Sequence, residues 1–365
     1  MIAASPARHR SAERAEVERR ARRLAVEPIG AAEAWDFHHR HADLTTPYTR
    51  PDFAEMLAVG FGPTLLRLGV FGERGIEAVV QLAVRRRGLL GTADQTPFPY
   101  VGLMTGGGER LPSQLLAIRR ALARERVAFA VLSLPPQVVV DPEWPRGAGV
   151  FIHPRTTCVV PTDAASLDAV EARWARSVRR ATRDGLRIEK ATAAEMSGAL
   201  AGLTADVLSR SMAAPPDYRE EMFPVAWETF EGDGDAFLRV AHVGDRIEGI
   251  MFSIKQGTTM YADGIARHPA TLGVLILDLG RLAARCGCTL CDITGGPPKV
   301  VAYKERWGAQ LSEYHDVHLR DPLLGTAYDA LRRASLMGRA LAGGARRAGD
   351  APHREPFASD GRQAA

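Results

Sequence analysis

The sequence predicts an α+β (mixed α/β) fold: two domains in tandem, each a mixed sheet flanked by helices. One observation is an order of elements that occurs twice. A hairpin is followed by a strand or loop flanked by glycine and proline, then a helix, an apolar strand and a Pro-Pro stop, Pro135-Pro136 and later Pro297-Pro298. A meander that hands over to a helix and then to a parallel strand is a mixed layout. Size and make-up agree. The chain has 365 residues, 46% apolar and 25% charged, ordinary for a globular protein and enough for two cores without disulfide or metal staples. Chain-wide disorder, collagen and coiled coil are excluded.

Residues 1–24 are rich in Arg, Glu and Ala, have few apolar anchors, and are expected to be loosely ordered. The first domain, 25–154, opens with helical patterns near Ala31–His41 and Pro51–Gly60. Strands Thr64–Phe71 and Ile76–Val84 follow, joined by the turn Gly72–Gly75. After an irregular stretch around Tyr100 come a helix over Pro112–Arg126 and the apolar strand Val127–Leu134. The second domain, 155–320, starts with strand Thr157–Val160. A helix capped by Asp163 or Ser166 then runs to Gly185, a C′ glycine. Strand Leu186–Lys190, helices near Ala193–Ser211 and Tyr218–Phe230, and strands Ala236–Val243, Arg246–Lys255 and Thr258–Ile265 come next. Helix Thr271–Cys286, strand Cys288–Ile293, a short helix holding Lys304 and Trp307, and strand Leu311–Leu319 complete the domain. Tyr100 and Tyr261 occupy similar places in the two copies. A C-terminal helix is expected over 321–342 and a disordered tail over 343–365.

The formal charge is +4 and the pI near 9.0. Seven Arg against three Glu in residues 1–24, and seven Arg against three acids in 331–365, give each end +4 and the body between them −4. The tails therefore make the high pI, and net charge alone implies no nucleic-acid partner. With four cysteines, no signal-peptide pattern and no apolar run of the roughly 18 residues a membrane span needs, a cytoplasmic protein is expected.

The sharpest local feature is the stretch 171–190. Seven basic residues stand there against three acids. On a helix, Arg173, Arg176, Arg180 and Arg183 share one face, with Trp174, Val178 and Ala181 on another. Arginine binds phosphate oxygens through a planar fork, so Arg176, Arg179, Arg180 and Arg183 are candidate phosphate-binding residues. The plain alternative is a solvated basic face. Cys286-Gly-Cys288-Thr-Leu-Cys291 has metal-like spacing, but Cys288 and Cys291 point to opposite faces of a strand, and no metal site is assigned. His38-His39-Arg40-His41 reads as a solvated helix face. Gly106-Gly107-Gly108 lacks the Lys-Ser/Thr of a phosphate loop, and no Gly-x-Ser-x-Gly elbow exists.

Three stretches carry a family resemblance. They are the Arg-rich run Trp174–Ile188, the segment Gly249–Ile265 with its following helix and Leu290–Gly296, and Ala302-Tyr303-Lys304-Glu305-Arg306-Trp307-Gly308-Ala309. Together they resemble the Fem-type aminoacyltransferases and tandem GNAT-like acyltransferases, over about residues 155–320. In the first half the match rests mainly on Pro97–Gly102. The Arg/Gln-x-x-Gly-x-Gly/Ala loop that holds the CoA pyrophosphate in ordinary GNAT enzymes is replaced by Arg267–Gly273.

The resemblance implies an enzyme that joins an activated acyl group to an amine in the cleft of the second half, with no covalent enzyme intermediate. Lys304 would bind a phosphate or stabilise the oxyanion. Tyr261 would orient the acyl carbonyl and Asp263 would take the ammonium proton, although a core tyrosine beside an aspartate turn reads equally well. Tyr100 joins the substrate-binding candidates, and Asp292 reads as a structural strand-end carboxylate. The expected donor is aminoacyl-tRNA, with no bound cofactor, and the acceptor a small-molecule amine or peptidoglycan precursor. The alternatives are an acetyl-CoA-dependent N-acetyltransferase for an amino sugar or polysaccharide precursor, and a non-catalytic tRNA- or nucleotide-binding module.

Overall fold

The structure, a computed structural model, describes residues 6–62, 64–93, 98–140, 149–163, 170–211, 219–296, 298–331 and 333. In chain order the elements are α1 (Pro6–Arg23), β1 (Ala25–Pro28), α2 (Ala31–Arg40), a 3-10 turn (Pro47–Thr49), α3 (Pro51–Phe61), β2 (Thr64–Gly72), β3 (Gly75–Arg87), β4 (Leu90–Ala93), β5 (Leu103–Thr105), α4 (Leu111–Arg124), β6 (Val127–Leu134) and β7 (Val150–Pro161). Then follow α5 (Ala172–Arg183), β8 (Leu186–Lys190), α6 (Gly198–Ser211), α7 (Met222–Phe230), β9 (Ala236–Val243), β10 (Arg246–Gln256), β11 (Thr259–Ala266), α8 (Pro269–Arg285), β12 (Leu290–Asp292), α9 (Pro298–Glu305) and β13 (Gln310–Arg320). Helical turns continue over 322–331. The expected tail over 343–365 lies outside the described residues.

Most elements lie where the sequence places them, and the differences have local causes. Within the N-terminal segment, residues 6–23 form helix α1. Its few apolar residues suffice because they share one side: Ala21 is buried and Val17 packs beside it against the α4 core. Helix α5 starts at Ala172, with Glu171 as N-cap, and Asp163 lies in a turn ahead of it. Ser166 is outside the described residues. The helix ends as expected, with Gly185 at C′ and φ +92°, a left-handed conformation glycine adopts without strain. Strand β7 is much longer than Thr157–Val160 because β13 pairs along its length from Val150 to Val159. Strands β1, β4 and β5 are three or four residues long, too short to show a period.

One sheet runs through the molecule in the order β1-β2-β3-β4-β6-β13-β7-β12-β11-β10-β9-β8, with β5 on β3. The order is symmetric about its centre. Each half has an antiparallel meander, a helix and a parallel return strand: β4 beside β6 around α4, and β11 beside β12 around α8. The centre is crossed over. β13, the last strand among the described residues, pairs with β6 of the first half, while β7 pairs with β12 of the second. A buried carboxylate fastens this seam: Asp316 accepts from Ser133 Oγ at 2.5 Å and from Arg155 Nε at 2.6 Å.

Strands β3 and β10, covered on both faces, are buried almost continuously rather than alternately, while β7 and β13 are largely exposed over 153–156 and 310–313. One core lies under α1 and α4, a second under α5 and α8. Between them a third, aromatic-rich core joins α3, α6 and α7 to both halves. Among the described residues no helix is long and apolar enough to cross a membrane.

Two glycines give opposite expectations. A Cβ at Gly273 on α8 would overlap the indole of Trp307, whereas one at Gly202, exposed within α6, would meet nothing within 4 Å. Gly273→Ala should cost about 1–3 kcal/mol through overpacking. Gly202→Ala should stabilise by up to about 1 kcal/mol through helix propensity. Denaturant unfolding of the two variants checks both signs.

Candidate active site

The parallel pairing of β11 and β12 lasts only three residues and ends at Tyr261 opposite Asp292. Beyond that point β11 continues to Ala266, while the chain after Asp292 turns to β7: Ile293 N donates to Cys158 O and Cys158 N to Thr294 O. The strands separate and leave a wedge bounded by Ala262–Ala266 on one side and Thr294–Gly296 on the other. The corresponding place in the first half is filled. There Gly102 bridges Ser133, and Ser133 N donates to Val101 O, so the Tyr100 segment continues the sheet beside β6.

The loop at the wedge is strained and heavily restrained. Thr294 has φ +61°, an unfavourable conformation for a β-branched residue. Its N–H donates to Asp292 Oδ1 at 2.9 Å. Lys304 Nζ reaches up from α9 and donates to the carbonyls of Ile293, Thr294 (3.1 Å) and Gly295 (2.9 Å), with Thr294 Oγ1 at 3.3 Å. Lys304 is buried, 6% exposed. Burial pulls its pKa down, while Asp263, Cys158 and Asp292 pull it back up. The ammonium thus holds the loop rather than being presented at a surface.

Asp292 is the centre of this arrangement. It accepts from Tyr100 Oη at 2.8 Å, from Thr157 Oγ1 at 2.7 Å and from Thr294 N. Tyr100, itself at φ +56° and fully buried, comes from the first half. Burial raises the pKa of Asp292, and the three donors and Lys304 oppose the rise. The carboxylate read from sequence as a strand-end group therefore joins both halves. Tyr100, a substrate-binding candidate from the sequence, has its hydroxyl on Asp292.

Tyr261 and Asp263 lie two residues apart on β11 and share a face. Tyr261 is 5% exposed, and burial pushes its hydroxyl up to about 12. Asp263 is half-buried, opposite Phe252 on β10. Burial lifts its carboxyl to about 6, against the pull of Lys304 and a hydrogen bond from the backbone of Gly264. Such a group takes up and releases a proton near neutral pH.

The arginine face is where the helix pattern puts it. Ala175 and Val178 are buried, and Arg173, Arg176, Arg179, Arg180 and Arg183 are exposed. Arg180 has Asp184 at 3.5 Å. Arg173 and Arg306 lie over the ring of Trp174 at 5.8 and 6.0 Å. Trp174 packs edge-on against Tyr303 at 5.0 Å, and Tyr303 Oη donates to Pro269 O at the start of α8. Helix α5 is thereby docked through Trp174 and Tyr303 beside the start of α8, with its basic face turned outward.

Other sequence features resolve simply. Cys158, Cys286, Cys288 and Cys291 are free thiols. His38, expected on a solvated face, is buried because it falls with Ala34 and Phe37 on the inner face of α2, and burial lowers its pKa to about 4. Sequence reasoning passed over Thr157, Gln256 and Tyr48. Gln256 Nε2 donates to Ala42 O at 2.8 Å and Thr45 O at 2.9 Å, tying a first-half loop to the β10–β11 hairpin. No spacing in the sequence marks these residues; the hydrogen-bond partners of Thr157 and Gln256 lie more than a hundred positions away.

Asp263 gives a pH expectation. Its folded pKa, about 6, lies above the ordinary 3.8. The native state thus holds this proton more tightly than the unfolded chain, and the carboxyl costs stability increasingly as pH rises from about 4 through 6. Relative to wild type, Asp263→Asn should gain stability over that window, by up to about 3 kcal/mol. Urea unfolding at pH 4 and pH 7.5 measures the difference, and a pH-independent gap would contradict it.

Neither a family model nor a curated protein matches the sequence. Solved structures do. FemX superposes with a TM-score of 0.51 at 15% identity, over 80% of this chain and 96% of that one. A tandem GNAT protein from the clavulanic acid biosynthesis pathway superposes at 0.52 and 14% identity, over 81% and 98%. At such identities the likeness is one of fold, and it extends over both halves. The chain has the tandem GNAT-like fold shared with Fem-like proteins.

Proposed function

We propose that the protein is an amide-forming N-acyltransferase working in the wedge between β11 and β12, and that its donor is aminoacyl-tRNA. The observation that carries this reading is the wedge itself. In a fold otherwise repeated, one half is plugged by Tyr100 and the other opens beside Asp263, a half-buried carboxyl that titrates near 6. The ionised Asp263 accepts a proton from the acceptor's ammonium. The freed lone pair attacks the acyl carbonyl carbon. As the C–N bond forms, the ester C–O bond breaks, and the leaving oxygen takes the second proton of the amine. Asp263 then returns its proton to solvent. Lys304 acts by positioning: it fixes the Thr294–Gly296 rim against which the acyl group lies. The exposed face Arg176, Arg179, Arg180 and Arg183, on a helix docked by Trp174 and Tyr303 to the start of α8, receives the phosphates of the tRNA. The acceptor is a small amine or an amine-bearing peptidoglycan precursor.

An acyl-CoA donor is the second reading. It is favoured by the superposition on a tandem GNAT protein and by the start of α8 lying directly after β11. Calorimetric titration with CoA and acetyl-CoA separates the two. Binding at tens of micromolar or tighter, about −6 kcal/mol, selects CoA.

For the tRNA reading, incubation with a pool of tRNA charged with labelled amino acids should give RNase-sensitive label on the acceptor. Arg176→Ala with Arg180→Ala should lower the slope of log affinity against log salt by about 1–2. Lys304→Ala should lower turnover by about a hundredfold, the order expected when a reacting group is displaced by an ångström. An unchanged salt slope would remove the arginines from the site.

A further inference from the structure

One end of the sheet carries a surface that acyl transfer leaves unused. β6 begins there at Val127, between the β3–β4 hairpin and the segment after β13. Gly91 N donates to Arg126 O at 2.8 Å on one side, and Asp321 N to Ala128 O at 3.2 Å on the other. The hairpin tip is Gly88-Leu89, and Leu89 is 72% exposed. Two-residue hairpin loops favour glycine, asparagine and aspartate, so this leucine serves neither the turn nor a core. Around it Arg86, Arg87, Arg124 and Arg126 are all exposed, and Arg86 donates to Glu125 O at 3.3 Å, which holds the hairpin against the end of α4. None of the four arginines forms an ion pair among the described residues.

A second apolar feature starts at the same end. Asp321 Oδ1 accepts from Leu323 N and Leu324 N, both at 3.0 Å, and so caps the helix over 322–331. Its inner side holds Leu324, Gly325 and Tyr328. Leu323, Thr326, Ala327, Ala330 and Leu331 are exposed, and their spacing makes one outward stripe. Leu323 is 82% and Leu331 49% exposed, and Arg333 beyond them is exposed too. The sequence continuing from this helix, 334–365, has five Arg against three acids.

Scattered exposed leucines are ordinary, whereas leucines gathered at one end among unpaired arginines select a partner. RNA would engage the arginines but stacks its bases on aromatic rings, not on leucines. A second copy would bring like charges face to face. An anionic bilayer uses both kinds of side chain: lipid phosphates attract the arginines, and apolar side chains enter the boundary between headgroups and acyl chains.

We propose that this end of the sheet is a peripheral docking surface for an anionic lipid bilayer, with Leu89 and Leu323 inserted and Arg86, Arg87, Arg124 and Arg126 on lipid phosphates. β7 starts at this end and β12 runs antiparallel to it, so docking turns the open side of the wedge toward the bilayer.

The test is flotation of the full chain with vesicles of phosphatidylglycerol and phosphatidylcholine in equal parts, against phosphatidylcholine alone. The protein should float with the first, be released by raised salt, and stay behind with the second. Leu89→Ser with Leu323→Ser, both at exposed positions, should keep the wild-type melting temperature and weaken binding at least about tenfold. Arg86→Ala with Arg87→Ala should weaken it about tenfold or more and flatten its salt dependence. The proposal is overturned if anionic vesicles do not bind, if neutral vesicles bind equally, or if the leucine variant keeps full affinity, which would leave plain charge adsorption. Two further results overturn it. One is an arginine variant that floats like wild type but loses RNA binding, which assigns the surface to RNA. The other is a leucine variant that floats like wild type but turns a dimer into a monomer in sedimentation, which assigns it to a second copy.

Discussion

The carboxylate of Asp292 receives hydrogen bonds from three segments that are remote in sequence: Tyr100 of the first half, Thr157 of the connecting strand β7, and the backbone of Thr294 at the edge of the wedge. Taking such a group out of water is costly unless its lone pairs are filled. Once filled, the cost becomes a constraint, because loss of any one donor leaves charge poorly compensated in a low-dielectric setting. The parallel pair therefore ends where it does, Thr294 keeps its left-handed backbone, and Tyr100 is locked into the position that closes the first half. Lys304 completes the arrangement from below. Its contacts with successive carbonyls allow the loop one conformation.

This economy divides the labour between two similar halves. Both have the meander, the helix and the parallel return strand. In the first, the space beyond the short parallel pair is sealed by backbone hydrogen bonds to the Tyr100 segment. In the second it stays open, lined by a carboxyl whose burial is partial enough for it to ionise and deep enough to raise its pKa. The sealed half contributes Tyr100 across the boundary, so the geometry of the open half depends on packing in the other.

Much of the fold was legible in the sequence, because strong periodicity and turn residues act locally. Strands β6, β8 and β9, and the end of α5 at Gly185, follow directly from runs of apolar residues and from glycine. Long-range pairing was not legible. The true length of β7 depends on β13, and the crossed centre leaves no local mark. The site was legible in part for the same reason. Tyr261, Asp263 and Lys304 stood out through the stretches that resemble a known family, and the structure groups them around one loop. The state of each was hidden: whether Lys304 is exposed, or what Tyr100 touches, is decided by residues far away in the chain. Gln256 had no signal, since an ordinary glutamine acquires meaning only from what faces it.

The position of β13 also bears on the order in which the molecule is made. The first half lacks one of its strands until residue 320 has left the ribosome, because the seam beside β6 is filled by the last strand among the described residues. Until then β6 offers an open edge, of the kind that pairs indiscriminately with other chains. Contacts between strands so distant in sequence form slowly, since a long loop must be closed before they give any return. The two halves are thus poor candidates for separate expression. A cut between them would divide a sheet rather than a linker, and the central seam of the nascent protein stays unclosed until β13 has emerged.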